Sequence, residues 1–319
     1  MSLIFKKPGI LTTIQDLGRI GARNLGINPS GVMDRSAAKL INIVLGNPDT
    51  SPVLEFHFPA PEIEFGEDTR IAIGGADFGA RIDDTPRQNW SSWFVKKGSV
   101  LKFARPASGR SAYLAVSGGF EIDQWLGSSS TNLAAMLGGL SGRKLVARDE
   151  IAYGAPGVTP EIRIGQSITS CCRRFPTMRF VAGNEFQFLT ALGERTLLGE
   201  DFAVTDQSDR MGYRLEGKPV HLLHELQMVS AAVTFGTLQL LPDGQIIILM
   251  ADHQTSGGYP RIGNVVSVDL PRLAQCGPGE RISFSMVSVQ EAERLALQYE
   301  KDLNFLRAGC RFRNQNGIY

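Results

Sequence analysis

The run Ala251-Asp252-His253-Gln254-Thr255-Ser256-Gly257-Gly258-Tyr259-Pro260-Arg261 concentrates more reactive side-chain types than any other stretch of the chain. It combines an acid, an imidazole, a carboxamide, hydroxyls and a Gly-Gly pair directly after the apolar segment Ile246–Met250. A strand that ends in such a loop presents polar side chains and free backbone N–H groups at a sheet rim, and loops on rigid scaffolds carry much of binding chemistry. Glycine allows positive φ and close backbone approach to a ligand, and successive N–H groups in such a turn form an anion-binding nest. Among His57, His221, His224 and His253, only His253 lies in this loop, which makes it the acid–base candidate. A plain Gly-Gly turn capped by Asp252 explains the same residues equally well on local grounds.

The elements that position this loop read as short strands joined by tight turns, with 35 glycines in 319 residues. Candidate strands are Glu62–Phe65, Arg70–Ile73, Val100–Phe103, Ala112–Val116, Arg179–Val181, Thr237–Leu241, Ile246–Met250, Val265–Val268 and Arg281–Phe284. Helical patterning is scarce. Asp34 is placed to N-cap a helix over Asp34–Leu45, with Leu40, Ile41, Val44 and Leu45 on one face and Gly46-Asn47-Pro48 as the stop. Further helices are expected at Val289–Asp302 and Glu185–Ala191. An internal echo runs strand, Ala-Asp, Arg-Ile, spacer, then G-x-x-[LI]-x-F. It appears as Ala76-Asp77, Arg81-Ile82 and Gly98–Phe103, and again as Ala251-Asp252, Arg261-Ile262 and Gly279–Phe284. The shared order suggests a duplicated β domain, with a change of unit near Thr159–Pro176, where the basic pair Arg173-Arg174 falls.

Composition excludes several function classes. A hydrophobic content of 43% with 20% charged residues supports a packed core. A net charge of +1 and the lack of a basic tract interleaved with aromatics leave no footprint for nucleic acid. Apolar runs are far shorter than the roughly 20 residues of a membrane helix, and Met1–Gly9 is not followed by a signal-type apolar region. Cys171, Cys172, Cys276 and Cys310 form no metal-type C-x-x-C pair, and their scarcity fits a reducing cytoplasm.

Other motifs carry less. Gln15-Asp16-Leu17-Gly18-Arg19 precedes Gly31-Val32-Met33-Asp34-Arg35, where Asp34 is expected to occupy its own helix N-terminus rather than leave it to an anion. Ser36-Ala37-Ala38-Lys39 matches S-x-x-K without the companion motifs of penicillin-binding enzymes. Ser117-Gly118-Gly119 lacks the leading glycine of a nucleophile elbow, since Ala115 stands there. Gly127-Ser128-Ser129-Ser130-Thr131 is a hydroxyl-rich loop of the kind that usually satisfies its own backbone. In Gln207–Gly217, Asp209, Arg210 and Arg214 suggest an ion-paired cluster or a carboxylate or phosphate clamp. His221-Leu-Leu-His224-Glu225 lacks a third metal ligand, and no Walker A or G-x-G-x-x-G motif is present.

Taken together, several of these stretches resemble a known family. They are QSDRMGYRLEG (207–217), ADHQTSGGYPRIG (251–263), Asp269-Leu-Pro-Arg-Leu-Ala-Gln275 with Pro278-Gly279, Thr13–Arg19, Gly31–Asp34, Gly75-Ala76-Asp77-Phe78, Tyr113–Gly119 and Gly127-Ser128. The chain resembles the biotin-dependent carboxyltransferase family in its free-standing form, known as the C-type component of bacterial 5-oxoprolinase, the KipI antagonist or allophanate hydrolase subunit 2. The resemblance implies a mainly β fold of two cyclophilin-like β-barrel domains with a few short helices, drawn here at residues 1–165 and 166–319. It implies a cytoplasmic hetero-oligomer with a KipI-like B-type component and an A-type component that opens 5-oxo-L-proline to L-glutamate with ATP. ATP belongs to the complex as a whole, and no metal site is expected in this chain. The alternatives are carboxyl transfer from biotin borne on another protein, as in urea carboxylase, and a non-catalytic antagonist of a KipI-like kinase inhibitor. The chain departs from the family's usual loop at His253 and Ser256, and has Ser230-Ala231-Ala232-Val233 where Ser-Glu-Pro-Val is common and Gly183-Asn184 where Gly-Pro is.

Within that expectation, the site residues take roles by type. Asp252 or His253 positions water or moves a proton. Gln254 and the backbone of Gly257 and Gly258 stabilise the oxyanion formed when an activated lactam carbonyl is attacked, and Thr255 lies among the substrate-binding residues. Tyr259 walls the pocket and gives one hydrogen bond. Arg19 or Arg210 holds the substrate carboxylate, and Asp34 lies among the binding residues.

Overall fold

The computed structural model describes residues 1–157, 160–165, 167–169 and 175–316. Thr159, Cys171, Cys172 and the Arg173-Arg174 pair, where a change of unit is expected, lie outside the described residues. The chain divides into two compact units. One comprises Met1–Arg19, Ser30–Cys171 and Glu300–Tyr319, and the other Ile20–Pro29 and Cys172–Tyr299. Both are mainly β. Among the described residues no helix is long and apolar enough to cross a membrane.

The first unit carries β1 (Ser2–Lys7), β2 (Thr12–Gln15), β3 (Val53–Phe56), β4 (Glu62–Phe65), β5 (Thr69–Asp77), β6 (Ala80–Ile82), β7 (Thr85–Pro86), β8 (Ser91–Val95), β9 (Val100–Phe103), β10 (Ser108–Val116) and β11 (Glu150–Ala152). Hydrogen bonding sorts them into a six-stranded sheet, β11-β1-β4-β9-β6-β7, and a five-stranded sheet, β2-β3-β10-β5-β8. Alternation sends Leu3, Phe5, Ile63, Phe65 and Leu101 from the first sheet and Leu54, Phe56, Ile71, Ile73 and Leu114 from the second into one core. Each such side chain contributes about 1.5–3 kcal/mol by leaving water. Helix α1 (Arg35–Val44) packs on β5 and β10. It starts where expected, because the Asp34 carboxylate accepts a hydrogen bond from Ala37 N at 2.8 Å.

The second unit carries β12 (Thr177–Ala182), β13 (Phe202–Val204), β14 (Gly212–Glu216), β15 (Ala231–Ala232), β16 (Thr237–Leu240), β17 (Ile246–Leu249), β18 (Ser256–Gly257), β19 (Arg261–Val265) and β20 (Arg281–Met286). Seven of these close a barrel in the order β12-β19-β16-β17-β14-β13-β20. The closing pair, β12 with β20, is parallel. Phe180, Phe202 and Phe284 meet inside it, Phe180 and Phe284 edge-on at 6.0 Å. The remaining two strands, β15 and β18, form a separate two-stranded ribbon.

Several sequence expectations shift. A 3₁₀ turn, Phe186–Phe188, occupies the expected helix at Glu185–Ala191. Helix α2 instead spans Ala191–Gly199, because Thr190 is the effective cap and accepts from Gly193 N at 2.8 Å. The strand expected at Val265–Val268 lies earlier, as β19, because a turn from Val266 to Asp269 leads into α3 (Leu270–Ala274). The last helix, α4 (Val289–Asn316), runs well past Asp302. Its distal part is tied to the first unit by Lys39–Glu300 at 3.1 Å and by an Arg307–Asp49 pair. The Arg-Ile and G-x-x-[LI]-x-F segments form strands in both units, whereas Ala76-Asp77 ends β5 and Ala251-Asp252 is a turn. The strand neighbours also differ, since β6 pairs with β9 but β12 separates β19 from β20.

Candidate functional site

Strand β17 delivers the reactive loop to one end of the barrel. Asp252 N donates to Arg210 O at 2.8 Å. The Asp252 carboxylate accepts from Arg210 Nε at 2.8 Å and Nη2 at 3.1 Å. The two side chains are only 11% and 12% exposed, so this bidentate pair braces the loop before β14 against the loop after β17. His253 is buried, and its Nδ1 lies 2.5 Å from the Gln254 carbonyl. Because a carbonyl only accepts, that contact places the proton on Nδ1 in the neutral ring.

Beyond His253 the chain turns back as β18 beside β15. Half-buried Thr255 accepts at its carbonyl from Val233 N at 3.3 Å. The Gln254 carboxamide donates from Nε2 to Gln239 Oε1 at 3.4 Å. Gln239 comes from β16, between Leu238 and Leu240, which are both buried. Alternation puts those leucines on one face of the strand and Gln239 on the other. Gln239 is nevertheless 1% exposed, because Gly257 lies against it. A Cβ at Gly257 would sit 2.5 Å from Gln239 Nε2 and 3.4 Å from Gln254 Nε2. A side chain here would therefore push the Gln239 amide from its place.

Gly258 and Tyr259 border a cavity of about 590 Å³, shared with His221, His224, Glu225 and Leu240. Tyr259 is 44% exposed, so its ring stands at the mouth. His224 packs edge-on against Phe188 at 5.7 Å. Arg261 closes the loop through Glu185, donating from Nε at 3.0 Å and Nη2 at 2.8 Å. Hydrogen bonding to Arg261 holds the Glu185 carboxyl below its ordinary range, against the opposing effect of burial. Among the described residues no group of three or more His, Cys, Asp or Glu side chains is arranged to hold a metal ion.

The segment Ile20–Pro29 also serves this end of the second unit. Asn28 Nδ2 donates to the Asp252 carbonyl at 2.8 Å, and the Arg23 guanidinium donates to the Val233 carbonyl.

Arg19 and Asp34 belong to the first unit. Arg19 is 1% exposed, lies 5.2 Å over the Trp125 ring and donates to the Ser130 carbonyl. A Cβ on Gly138, whose φ is +70°, would strike both that carbonyl and the guanidinium. Beside it, the buried Asp16 carboxylate accepts from Gly18 N at 2.8 Å, Ser128 Oγ at 2.7 Å, Ser129 N at 2.6 Å and Ser130 Oγ at 2.6 Å. Asp34 is wholly buried, its N–H donating to Tyr113 Oη at 2.9 Å. Burial, with Glu55 and Asp34 nearby, pushes the Tyr113 hydroxyl well above its ordinary range and keeps it protonated.

The structure thus joins Asp252 to Arg210 and Gln254 to Gly257, and sets Gly258 and Tyr259 at the cavity. Arg19 and Asp34 are separately built into the interior of the first unit. Three contributors to the loop are absent from the sequence expectations: Gln239, Arg23 and Asn28. A glutamine between leucines in an apolar strand is the available signal for Gln239. Nothing local marks Arg23 or Asn28.

Residues 25–286 match the family model described as carboxyltransferase domain, subdomain A and B. A Haemophilus influenzae protein, named as the C-type component of 5-oxoprolinase, is 38% identical over 92% of this chain and 94% of its own length. Its Escherichia coli namesake is 33% identical over 97% of this chain and 98% of its own. The crystal structure of the K. lactis urea amidolyase superposes on 96% of this chain with a TM-score of 0.88, at 24% identity, using 20% of that longer chain.

Proposed function

Because this chain belongs to the carboxyltransferase-domain family of subdomains A and B, we propose that it is the C-type component of an ATP-dependent 5-oxoprolinase. It acts in the cytoplasm with an A-type component and a KipI-like B-type component to open 5-oxo-L-proline to L-glutamate. The observation that carries this reading is its similarity, over nearly the full length of both chains, to proteins named as that component. Residues 1–165 and 166–319 supply most of its two cyclophilin-like modules, apart from Ile20–Pro29, which belongs with the second compact unit, and Glu300–Tyr319, which belongs with the first.

ATP, bound by the complex, supplies activation of an otherwise unreactive lactam. This chain's residues do the positioning. Gln254 and the Gly257-Gly258 backbone give hydrogen bonds to the oxygen that gains negative charge on attack. With Asp252 engaged by Arg210, proton transfer falls to His253, whose Nδ1 contact leaves Nε2 as the basic nitrogen. Tyr259 and the 590 Å³ cavity hold the ring.

The test is co-expression with the A-type and B-type chains. Glutamate is expected to form from 5-oxoproline only with ATP and all three chains, and its absence from the complete mixture rejects the reading. The family description favours one second reading, carboxyl transfer from biotin carried by another protein. Carboxybiotin decay stimulated by urea, with no lactam opening, would select it. Stable binding to the KipI-like chain without turnover in either assay would instead select the regulatory antagonist.

A further inference from the structure

We propose that Gln239, with Gln254 and the notch left by Gly257, forms a recognition site for the carbonyl oxygen of a small amide or urea-type ligand. The site deepens the function proposed above and rests on it for the identity of the lactam.

Gln239 is 1% exposed, and no acceptor among the described residues reaches its Nε2. A buried N–H donor without a partner is rare, because leaving it unmade forfeits its hydration. Here the donor has a defined direction. Gln239 Oε1 is turned toward Gln254 Nε2, which fixes the other end of the carboxamide toward Gly257. A Cβ at position 257 would come within 2.5 Å of the nitrogen, so only glycine leaves the Gln239 amide where it is. No positive φ is required of Gly257, so the missing side chain serves proximity rather than backbone conformation. Gln254 Nε2 lies on the same side, 3.4 Å from the same point. Two neutral carboxamide donors therefore border one glycine, on a ribbon that leads in two residues to the cavity at Tyr259.

Neutral N–H donors select an acceptor oxygen, and an uncharged donor pair suits an uncharged carbonyl better than a carboxylate, which prefers a cation. Lactam and urea carbonyls share this chemistry. A site built to hydrogen-bond one oxygen discriminates strongly against ligands that lack it, because its buried donors would then stay unpaired.

The experiment uses the full-length chain labelled with nitrogen-15. The side-chain NH2 signals of Gln239 are assigned by their loss in Gln239→Leu. Wild type, Gln239→Leu and Gly257→Ala are titrated with 5-oxo-L-proline and, separately, with urea, and backbone spectra establish that each variant is folded. A saturable shift of the Gln239 NH2 signals with at least one probe is expected, with affinity about 10-fold or more weaker in Gly257→Ala. In the complete three-chain assay, Gln239→Leu is expected to raise the KM for 5-oxoproline by about the same factor. Unmoved Gln239 signals with both probes, or a KM unchanged in Gln239→Leu, would overturn the site and leave the 5-oxoprolinase reading intact. A saturable shift in a chain whose complete complex opens no lactam would do the reverse.

Discussion

In the first unit, the Asp16 carboxylate collects donors from Gly18, Ser128, Ser129 and Ser130, and the adjacent Arg19 is stacked and hydrogen-bonded. In the second, Gln239 is as deeply buried as Arg19, yet one of its donors meets no acceptor among the described residues. Both regions adjoin conspicuous sequence motifs whose composition suits a ligand. The difference lies between the Asp16 carboxylate, both of whose oxygens accept hydrogen bonds, and the Gln239 amide nitrogen, which donates none among the described residues. A buried acid whose oxygens are fully engaged holds loops together and has little capacity for a ligand. A buried donor left over beside a missing side chain is costly unless something accepts from it.

The contrast can be broken most severely at Asp16. Asp16→Ala strips the partners from several buried donors at once, and a loss of about 3–5 kcal/mol is expected in urea unfolding. A loss under about 1 kcal/mol would show that this network is not structural. Asp252→Asn comes next. It removes the charge from a pair that is nearly buried and leaves the Arg210 guanidinium uncompensated. About 2–4 kcal/mol of stability should go, and lactam turnover with it. Full activity in a stable Asp252→Asn protein would make the brace dispensable.

A smaller effect is expected at Glu185, whose folded-state acidity is strengthened by Arg261. A carboxylate with a depressed folded pKa adds stability above its ordinary value of 4.5, and that stability is lost as pH falls through this value toward the folded one. Wild type should therefore exceed Glu185→Gln in Tm at about pH 7 by the equivalent of about 1 kcal/mol, and the gap should narrow below pH 4.5. A gap that is constant with pH would remove the ion pair as its cause. Tyr259→Phe sharpens the comparison from the other side. At 44% exposure the hydroxyl adds little to stability, so Tm should move by less than about 0.5 kcal/mol equivalent. Turnover should fall about 10-fold if the hydroxyl gives a hydrogen bond to substrate.

Much of this architecture is legible in the sequence because it is local. Apolar alternation locates β4 and β9, and Asp34 with Gly46-Asn47-Pro48 bounds α1. Partnership between strands is not local. The G-x-x-[LI]-x-F echo encodes a turn followed by a half-buried strand, and such a string does not say which strand lies alongside. Hence one copy pairs with its Arg-Ile strand and the other does not. The same limit hides Gln239. In an alternating strand the residue between two inward leucines reads as solvent-facing, yet the returning chain sets Gln254 and Gly257 against it. Arg210 and Asp252 each stand out by type, but their mutual engagement depends on contact across the barrel rim.

Each unit borrows a piece of chain from far away: the second takes Ile20–Pro29, and the first takes Glu300–Tyr319. During synthesis the ribosome releases Lys39 and Asp49 respectively 261 and 258 residues before their partners Glu300 and Arg307. The N-terminal half thus remains without part of its own packing until those distant partners emerge, and Arg23 and Asn28 must wait in turn for Val233 and Asp252. A gene cut between the halves would yield two polypeptides that each lack a segment of their own fold.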